Sequence, residues 1–366
     1  MAILGAELYR HELNYDYYFA SVSLEADVGA WECVRGKVPE ERILSADSFA
    51  GVVSCCEALL SSYRRVLIHC GGGWGQTRIL AKLRCRYGKR VLLVGTTHSF
   101  QINTWKRIPM SAFQSVLYSL YYRMIVFQCR YAYEKFVGAR CLSWLGKAKV
   151  IPLGCEKFPD GFAPSQSLDG ISSSVRDVLH DRSVFKFVYL AELREGKNHV
   201  WLTRSLLPVL QSHPDVTVIF FGATDQTISD MVRRIAQDAN VSKQVILAGR
   251  IPRQDIPAAL SLCQCAIVPS RAETFGHNIL EPMFAGLPVL GTRVGVGREI
   301  IRDGETGWTF SLHGPHSVRS GAEAMLKDRQ RTRNMGLRAR ELVEASYTHD
   351  AVARALSSMY EELLYG

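Results

Sequence analysis

The stretch that decides the fold is Pro269 to Phe310, PSRAETFGHNILEPMFAGLPVLGTRVGVGREIIRDGETGWTF. It follows a short apolar run, Ala266-Ile267-Val268, of the kind that forms a buried strand. A polar loop, Ser270 to Thr274, leads into Phe275-Gly276. The residues on to Ala285 have helical periodicity that turns Ile279, Met283 and Ala285 inward. Gly286-Leu287-Pro288 ends that helix, since glycine takes the left-handed terminal position and proline cannot extend the hydrogen-bond ladder. Val289 to Thr292 reads as the next strand. Two carboxylates sit in this strand–loop–helix–strand order. Glu273 precedes the helix and Glu281 lies in its second turn, with seven residues between them.

A helix start after a strand, with Gly276 leaving room for close approach, offers free N–H groups and a positive dipole end to a phosphate. Acids placed before and along the helix can accept hydrogen bonds from hydroxyls on the two sides of that phosphate. Hydroxyls flanking phosphate describe a nucleotide sugar. Taken singly, Glu273 reads as a solvated loop acid and Glu281 as a helix surface charge. The residues around them point further.

Glu273-Thr-Phe-Gly276, Leu280-Glu281, Ala285-Gly286-Leu-Pro288-Val, Glu299-Ile-Ile and Asp303-Gly304-Glu-Thr-Gly307 together resemble the retaining glycosyltransferases of family 4. The resemblance runs over roughly Val184 to Phe310 and implies an α/β fold of the GT-B type, two Rossmann-like doubly wound domains facing across a cleft. It implies that Glu273 contacts the donor sugar hydroxyls and Glu281 the nucleotide ribose, while the backbone of Phe275, Gly276 and His277 faces sugar and diphosphate.

The same resemblance guides the start of this half. Val184 to Leu190 reads as its first strand, followed by Ala191-Glu192-Leu193-Arg194-Glu195-Gly196-Lys197. Family members carry Gly-Arg at the first two positions and a Lys near the seventh, and the Arg and Lys clamp the diphosphate. Here Ala191-Glu192 replaces Gly-Arg, Lys197 is kept, and Arg194 is the candidate for the missing charge. The substitution matters because guanidinium binds phosphate oxygens in a bidentate fork. Strands are expected at 216–221 and 245–248, and helices at 226–239 and 253–262. Gly249 and Arg250 begin the loop that holds the base in the family. Beyond Phe310, helices near 314–345 finish this domain, and a last helix at 349–364 is expected to cross back onto the N-terminal one.

The N-terminal half is less legible. Residues 1–12 look helical, Tyr17 to Val22 reads as a strand, and 24–45 as irregular and acidic. The Gly-Gly loop that opens family members is absent there. After helix 50–63 and strand 65–69, Gly71-Gly-Gly-Trp-Gly75 lacks the P-loop lysine and the dinucleotide spacing. It reads either as a close-packed strand-to-helix turn or as an acceptor-lining loop. Helix 76–87 and strand 89–95 follow, and His98 lies just past that strand's end. A lone His at such a place is usually structural, yet the resemblance implies that His98 faces the donor sugar.

Residues 105–124 carry Ile108, Met110, Phe113, Val116, Leu117, Leu120, Tyr121 and Met124 at helical spacing, flanked by Trp105, Lys106, Arg107, Tyr118, Tyr122 and Arg123. Two readings stand: a core helix, or a helix lying in a lipid interface with aromatic and basic residues beside an apolar face. On the second, Trp105, Lys106, Arg107, Phe113 and Arg123 form the membrane or acceptor face. Phe158 to Asp181, rich in Pro, Gly and Ser, reads as the linker. The expected domains are thus 1–157 with 349–366, and 183–348.

At 366 residues, two domains are the natural division. No apolar run is long enough to span a bilayer, and the N-terminus, acidic early and without a cleavage site, does not read as a signal peptide. The ten cysteines lack metal-finger spacing and read as reduced, buried thiols. The net charge of +9 is concentrated in residues 51–150, which hold 16 basic and 2 acidic groups. With no nucleic-acid-binding motif beside it, that charge points to an anionic membrane face rather than nucleic acid.

The expectation is a cytoplasmic enzyme, peripheral on the inner face of the membrane, moving a sugar from a nucleoside-diphosphate donor to an acceptor hydroxyl with retention. The resemblance places such an enzyme in surface polysaccharide synthesis, with a lipid-linked acceptor. No Asp-x-Asp occurs, which argues against a carboxylate-bound metal at the diphosphate, and no cofactor is expected; the resemblance implies that Glu273, His98 and Lys197 carry the reaction. A catalytically silent partner subunit of a transferase is the alternative. The Glu pair speaks against an epimerase of the same fold, and the lack of a pyridoxal lysine motif against a phosphorylase.

Overall fold

The computed structural model describes residues 19–22, 43–46, 49–71, 74–97, 108–158, 168 and 170–366. They form two compact units, one drawn from Met1–Gly154 with Tyr347–Gly366, the other from Cys155–Ser346.

In the first unit, β1 (Phe19–Val22) pairs in parallel with β2 (Ile43–Ala46). A separate parallel sheet runs β3 (Val66–Cys70), β4 (Val91–Thr96), β5 (Met124–Phe127), β6 (Ala148–Val150) in spatial as in chain order. Both β4 and β5 are buried throughout, as befits strands covered on two faces. Helices α1 (Phe49–Ser62), α2 (Trp74–Tyr87), α3 (Ile108–Tyr121), α4 (Arg130–Lys135) and α5 (Ala139–Trp144) belong to this unit. On one side of the sheet Leu80, Leu93, Tyr118, Tyr122, Phe127 and Leu142 share a core. The other side packs Val94, Val126 and Ile151 against Val352, Leu356 and Met359.

The second unit holds a six-stranded parallel sheet. Its strands are β7 (Phe185–Leu190), β8 (Val216–Phe221), β9 (Val245–Gly249), β10 (Cys265–Val268), β11 (Val289–Thr292) and β12 (Gly307–Phe310). They lie in the order β12-β11-β10-β7-β8-β9. Counted from β7 as the first, this is the 3-2-1-4-5-6 arrangement of nucleotide-binding α/β folds, and the chain reverses its direction of winding between β7 and β10. The helices are α6 (Ser173–His180), α7 (His199–Ser212), α8 (Gln226–Asp238), α9 (Ile256–Ser261), α10 (His277–Phe284), α11 (Gly297–Ile300), α12 (His316–Lys327) and α13 (Arg329–Ser346).

The last helix, α14 (His349–Tyr365), lies in the first unit and supplies Val352, Leu356 and Met359 to its core. His69 on β3 bonds through Nε2 to the Thr96 hydroxyl on β4 at 2.6 Å and through Nδ1 to the Tyr360 hydroxyl, tying α14 to the sheet.

Four readings of the sequence change. Residues 43–45, expected to be irregular, fall in β2, and Met124, expected at helical spacing, opens β5. Tyr118 and Tyr122, expected on the flank of their helix, are 2% and 1% exposed and bonded into the core, with the Tyr122 hydroxyl 3.0 Å from that of Thr77. Linker composition hid α6, whose Val175 and Leu179 are buried. Short amphipathic turns in Ser-rich sequence carry little signal, because helix formation there is decided by packing. The expected helix at residues 1–12 lies outside the described residues.

Candidate functional site

The reversal point of the second sheet brings two loops together. Past β7, residues Glu195–Lys197 make one tight helical turn, and Asn198 in the left-handed conformation turns the chain into α7. Past β10, Pro269 to Thr274 leads to α10. The loops are laced: the Arg271 N–H donates to the Gly196 carbonyl at 3.0 Å and the Asn198 side chain to that of Pro269 at 2.8 Å. The buried Tyr189 hydroxyl donates to the Lys197 carbonyl at 3.1 Å and lies 3.0 Å from the Ser270 hydroxyl.

This lacing aims Lys197 at Glu273. Their charged atoms are 2.5 Å apart, and each side chain is only 11% exposed. The Ser270 hydroxyl (2.6 Å) and the Asn278 amide (3.0 Å) donate to the same carboxylate oxygen, Oε1. Glu273 Oε2 takes no hydrogen bond among the described residues. Buried charge in such a place needs both a counter-ion and hydrogen bonds, and Glu273 has both while keeping one oxygen open.

Gly276 begins α10 with φ +108°, a conformation that favours glycine, and a Cβ there would come within 3.2 Å of Ile279. The Phe275 side chain is buried, so what it can offer a ligand is backbone; its carbonyl accepts from the Val296 N–H at 2.6 Å. Glu281, one turn along α10 from His277, is half-buried, and desolvation raises its carboxyl to about 7 against the pull of Arg253. At neutral pH such a group can accept a hydroxyl hydrogen bond or donate one. His277 is exposed, and its ligand nitrogen, a Glu281 oxygen and the buried Cys155 sulfur all lie within 4.8 Å of one another.

Gly249, at φ +76°, ends β9 beside a register shift in its pairing with β8, and its carbonyl accepts from the Gly222 N–H at 2.8 Å. Arg194 and Arg250 are exposed on the loops that carry them. In the first unit, Phe113 and Arg123 are exposed at and just beyond α3. His98, Trp105, Lys106 and Arg107 lie outside the described residues. Ser270, Asn278, Tyr189, Cys155 and Arg253 were not singled out in the sequence. A short polar residue three before an acid, or a Cys more than a hundred residues upstream, leaves no periodic trace.

Residues 174–342 match the family described as glycosyl transferases group 1. That match lies wholly within the second unit. Among curated relatives, this chain is 29% identical over 133 residues to the N-acetyl-alpha-D-glucosaminyl L-malate synthase of Bacillus anthracis, covering 36% of this chain and 34% of that one. It is 30% identical over 169 residues to the D-inositol 3-phosphate glycosyltransferase of Acidothermus cellulolyticus, covering 44% and 36%. The chain thus spans between about a third and a half of the length of the first curated relatives it matches. Its fold is similar to that of Anabaena Alr3699/HepE in complex with UDP and glucose, with a TM-score of 0.72 at 17% identity, covering 98% of this chain and 94% of that one. The architecture, two α/β units each built on a parallel sheet, is that of the GT-B class.

Proposed function

We propose that the protein is a retaining glycosyltransferase of family 4, transferring a sugar from a nucleoside-diphosphate donor to an acceptor hydroxyl. The observation that carries this reading is the Lys197–Glu273 pair at 2.5 Å, built where strands β7 and β10 end on either side of the winding reversal. Ligands of open α/β sheets bind at that place. The start of α10 and the Lys197 ammonium are suited to the negative charge that develops on a departing diphosphate. The open oxygen of Glu273 accepts from sugar hydroxyls, and Glu281 serves the ribose. Attack takes place on the face the leaving group vacates, with the leaving phosphate receiving the acceptor proton; His98 orients the donor sugar, Arg194 supplements the phosphate charge, and Gly249 and Arg250 border the base. Neither a metal nor a cofactor is required for these steps. The similar Anabaena structure holds UDP and glucose, which supports a nucleotide-sugar ligand here.

The acceptor is proposed to be a lipid-linked saccharide in surface polysaccharide synthesis, reached from the inner face of the membrane. Support comes from α3, where Phe113, Val116 and Leu120 are 49%, 53% and 65% exposed on one side of the helix. Trp144 and Leu145 at the end of α5 are also exposed, and this unit contains the cation-rich residues 51–150. No helix of the described residues is long and apolar enough to cross a membrane.

A thermal-shift series with UDP-, GDP- and ADP-sugars tests the reading. One of them, at about a hundred times its dissociation constant, should add roughly 2.7 kcal/mol to stability. Absence of any shift with all three would overturn it.

A further inference from the structure

We propose that Cys155, His277 and Glu281 form a binding site for a zinc-class divalent cation, and that an ion held there excludes the donor nucleotide. His277 and Glu281 are four residues apart on α10, so their side chains overlie one another on one face of the helix. Cys155 comes from the other direction in sequence, at the residue where the chain enters the second unit, and presents its sulfur to that face. The three ligand atoms lie within 4.8 Å of one another. Bonds to zinc of roughly 2.0–2.3 Å place tetrahedral ligand atoms roughly 3.3–3.7 Å apart. Small torsional adjustments of the exposed His277 and half-buried Glu281 close that difference.

The donor set decides the class of ion. One thiolate, one imidazole and one carboxylate suit a borderline-soft cation such as Zn²⁺ or Co²⁺, whereas Mg²⁺ and Ca²⁺ require oxygen ligands. Three protein ligands leave a fourth position for water. On binding, the Cys155 S–H bond breaks, a sulfur–metal bond forms and the proton passes to solvent, with no change of oxidation state. Arg253 is the cation whose charge reaches both Cys155 and Glu281, and it opposes a second positive charge. Its long exposed side chain can swing away.

The competition follows from Glu281. Under the function proposed above, on which this arm of the inference rests, its carboxylate holds the ribose, and an oxygen committed to a metal is not available to a hydroxyl. The ion therefore acts as a brake on donor binding and takes no part in transfer.

The test uses the full chain stripped with chelator and titrated with Co²⁺. A thiolate-to-cobalt charge-transfer band should appear, should be absent in Cys155→Ser, and should be absent on titration with Mg²⁺. Loss of a partner outside the ligand shell costs roughly 10–100-fold in metal affinity, so His277→Ala should weaken Co²⁺ at least that much. His277 is exposed, so this variant keeps the measurement independent of folding, which melting curves verify. UDP, GDP and ADP are then titrated calorimetrically with and without Zn²⁺. The nucleotide that binds should lose affinity on the order of tenfold or more in the wild type and none in Cys155→Ser. No thiolate band, or the same band in Cys155→Ser, overturns the site. A band with nucleotide affinity unchanged by metal overturns the competition. Failure of the metal-free protein to bind any of the three nucleotides overturns the function proposed above, while the cobalt spectrum still reports on the site.

Discussion

Glu273 and Lys197 make one unit. With each side chain 11% exposed, removing one partner strands a charge in a poorly hydrated place. Lys197→Ala should cost about 3 kcal/mol of stability, and Glu273→Gln should restore part of that loss in the double variant. A urea-denaturation double-mutant cycle measures the coupling; additivity within about 0.5 kcal/mol would show that the two do not act together. Each single change should lower turnover on the order of a hundredfold, the usual effect of losing one contact made in the transition state. A second residue-scale expectation concerns His199. Its ring packs 4.8 Å from that of Tyr189 and 5.2 Å from that of Phe220. Burial, assisted by the Lys197 charge, lowers it from 6.5 to about 4. The Ala191 backbone partly opposes the shift, yet neither ring nitrogen has a full hydrogen bond among the described residues. The unfolded chain therefore holds the extra proton between those values. This contribution to stability is complete above about pH 6.5 and is lost as pH falls towards 4, by about 3 kcal/mol. His199→Phe should flatten that acid limb relative to the wild type in denaturation curves taken from pH 7 to 4; an unchanged limb would refute the assignment.

At the scale of elements, the loop before α10 is held from behind by the turn that follows β11. Gly295 there has φ +53°, and a Cβ on it would meet the Phe275 carbonyl oxygen at 2.2 Å and Glu273 Cβ at 2.8 Å. Gly295→Ala should therefore displace the Glu273 loop, costing about 1–3 kcal/mol for the backbone conformation and lowering turnover with it. Gly314→Ala, where an added Cβ meets nothing within 4 Å, should leave both melting temperature and turnover near the wild type. Equal behaviour of the two variants would show that this backing has no part in shaping the loop. The elements themselves were legible to different degrees. β8 and β11 fall on the residues their apolar runs marked, because a strand covered on both faces leaves an unbroken hydrophobic signature. β2, α4, α5 and α6 were not, since each is short and owes its form to what it packs against.

At the scale of the molecule, the chain runs from the first unit into the second at Cys155 and returns at Tyr347, so α14 completes a core begun some 300 residues earlier. The cations of residues 51–150 belong to the first unit, as do exposed Phe113, Val116, Leu120 and Trp144. Each cation near an anionic leaflet contributes about 1 kcal/mol. The protein should sediment with vesicles containing anionic lipid and be released as salt is raised. Leu120→Asp combined with Trp144→Asp should abolish sedimentation without altering the melting curve. Retention on duplex DNA with the same salt response, or sedimentation indifferent to lipid charge, would refute membrane docking.

From sequence alone came the α/β class, the strand–loop–helix–strand order that places Glu273 before a helix and Glu281 along it, and the place of Lys197 just past a strand. These depend on residues close together along the chain, where spacing translates directly into geometry. Tertiary structure alone decided that Lys197 meets Glu273 at 2.5 Å, that Ser270 and Asn278 hold one of its oxygens, and that Cys155 reaches His277 and Glu281. Strand order sets those meetings, placing β7 beside β10 although 74 residues separate their ends, and no local pattern encodes which strands become neighbours.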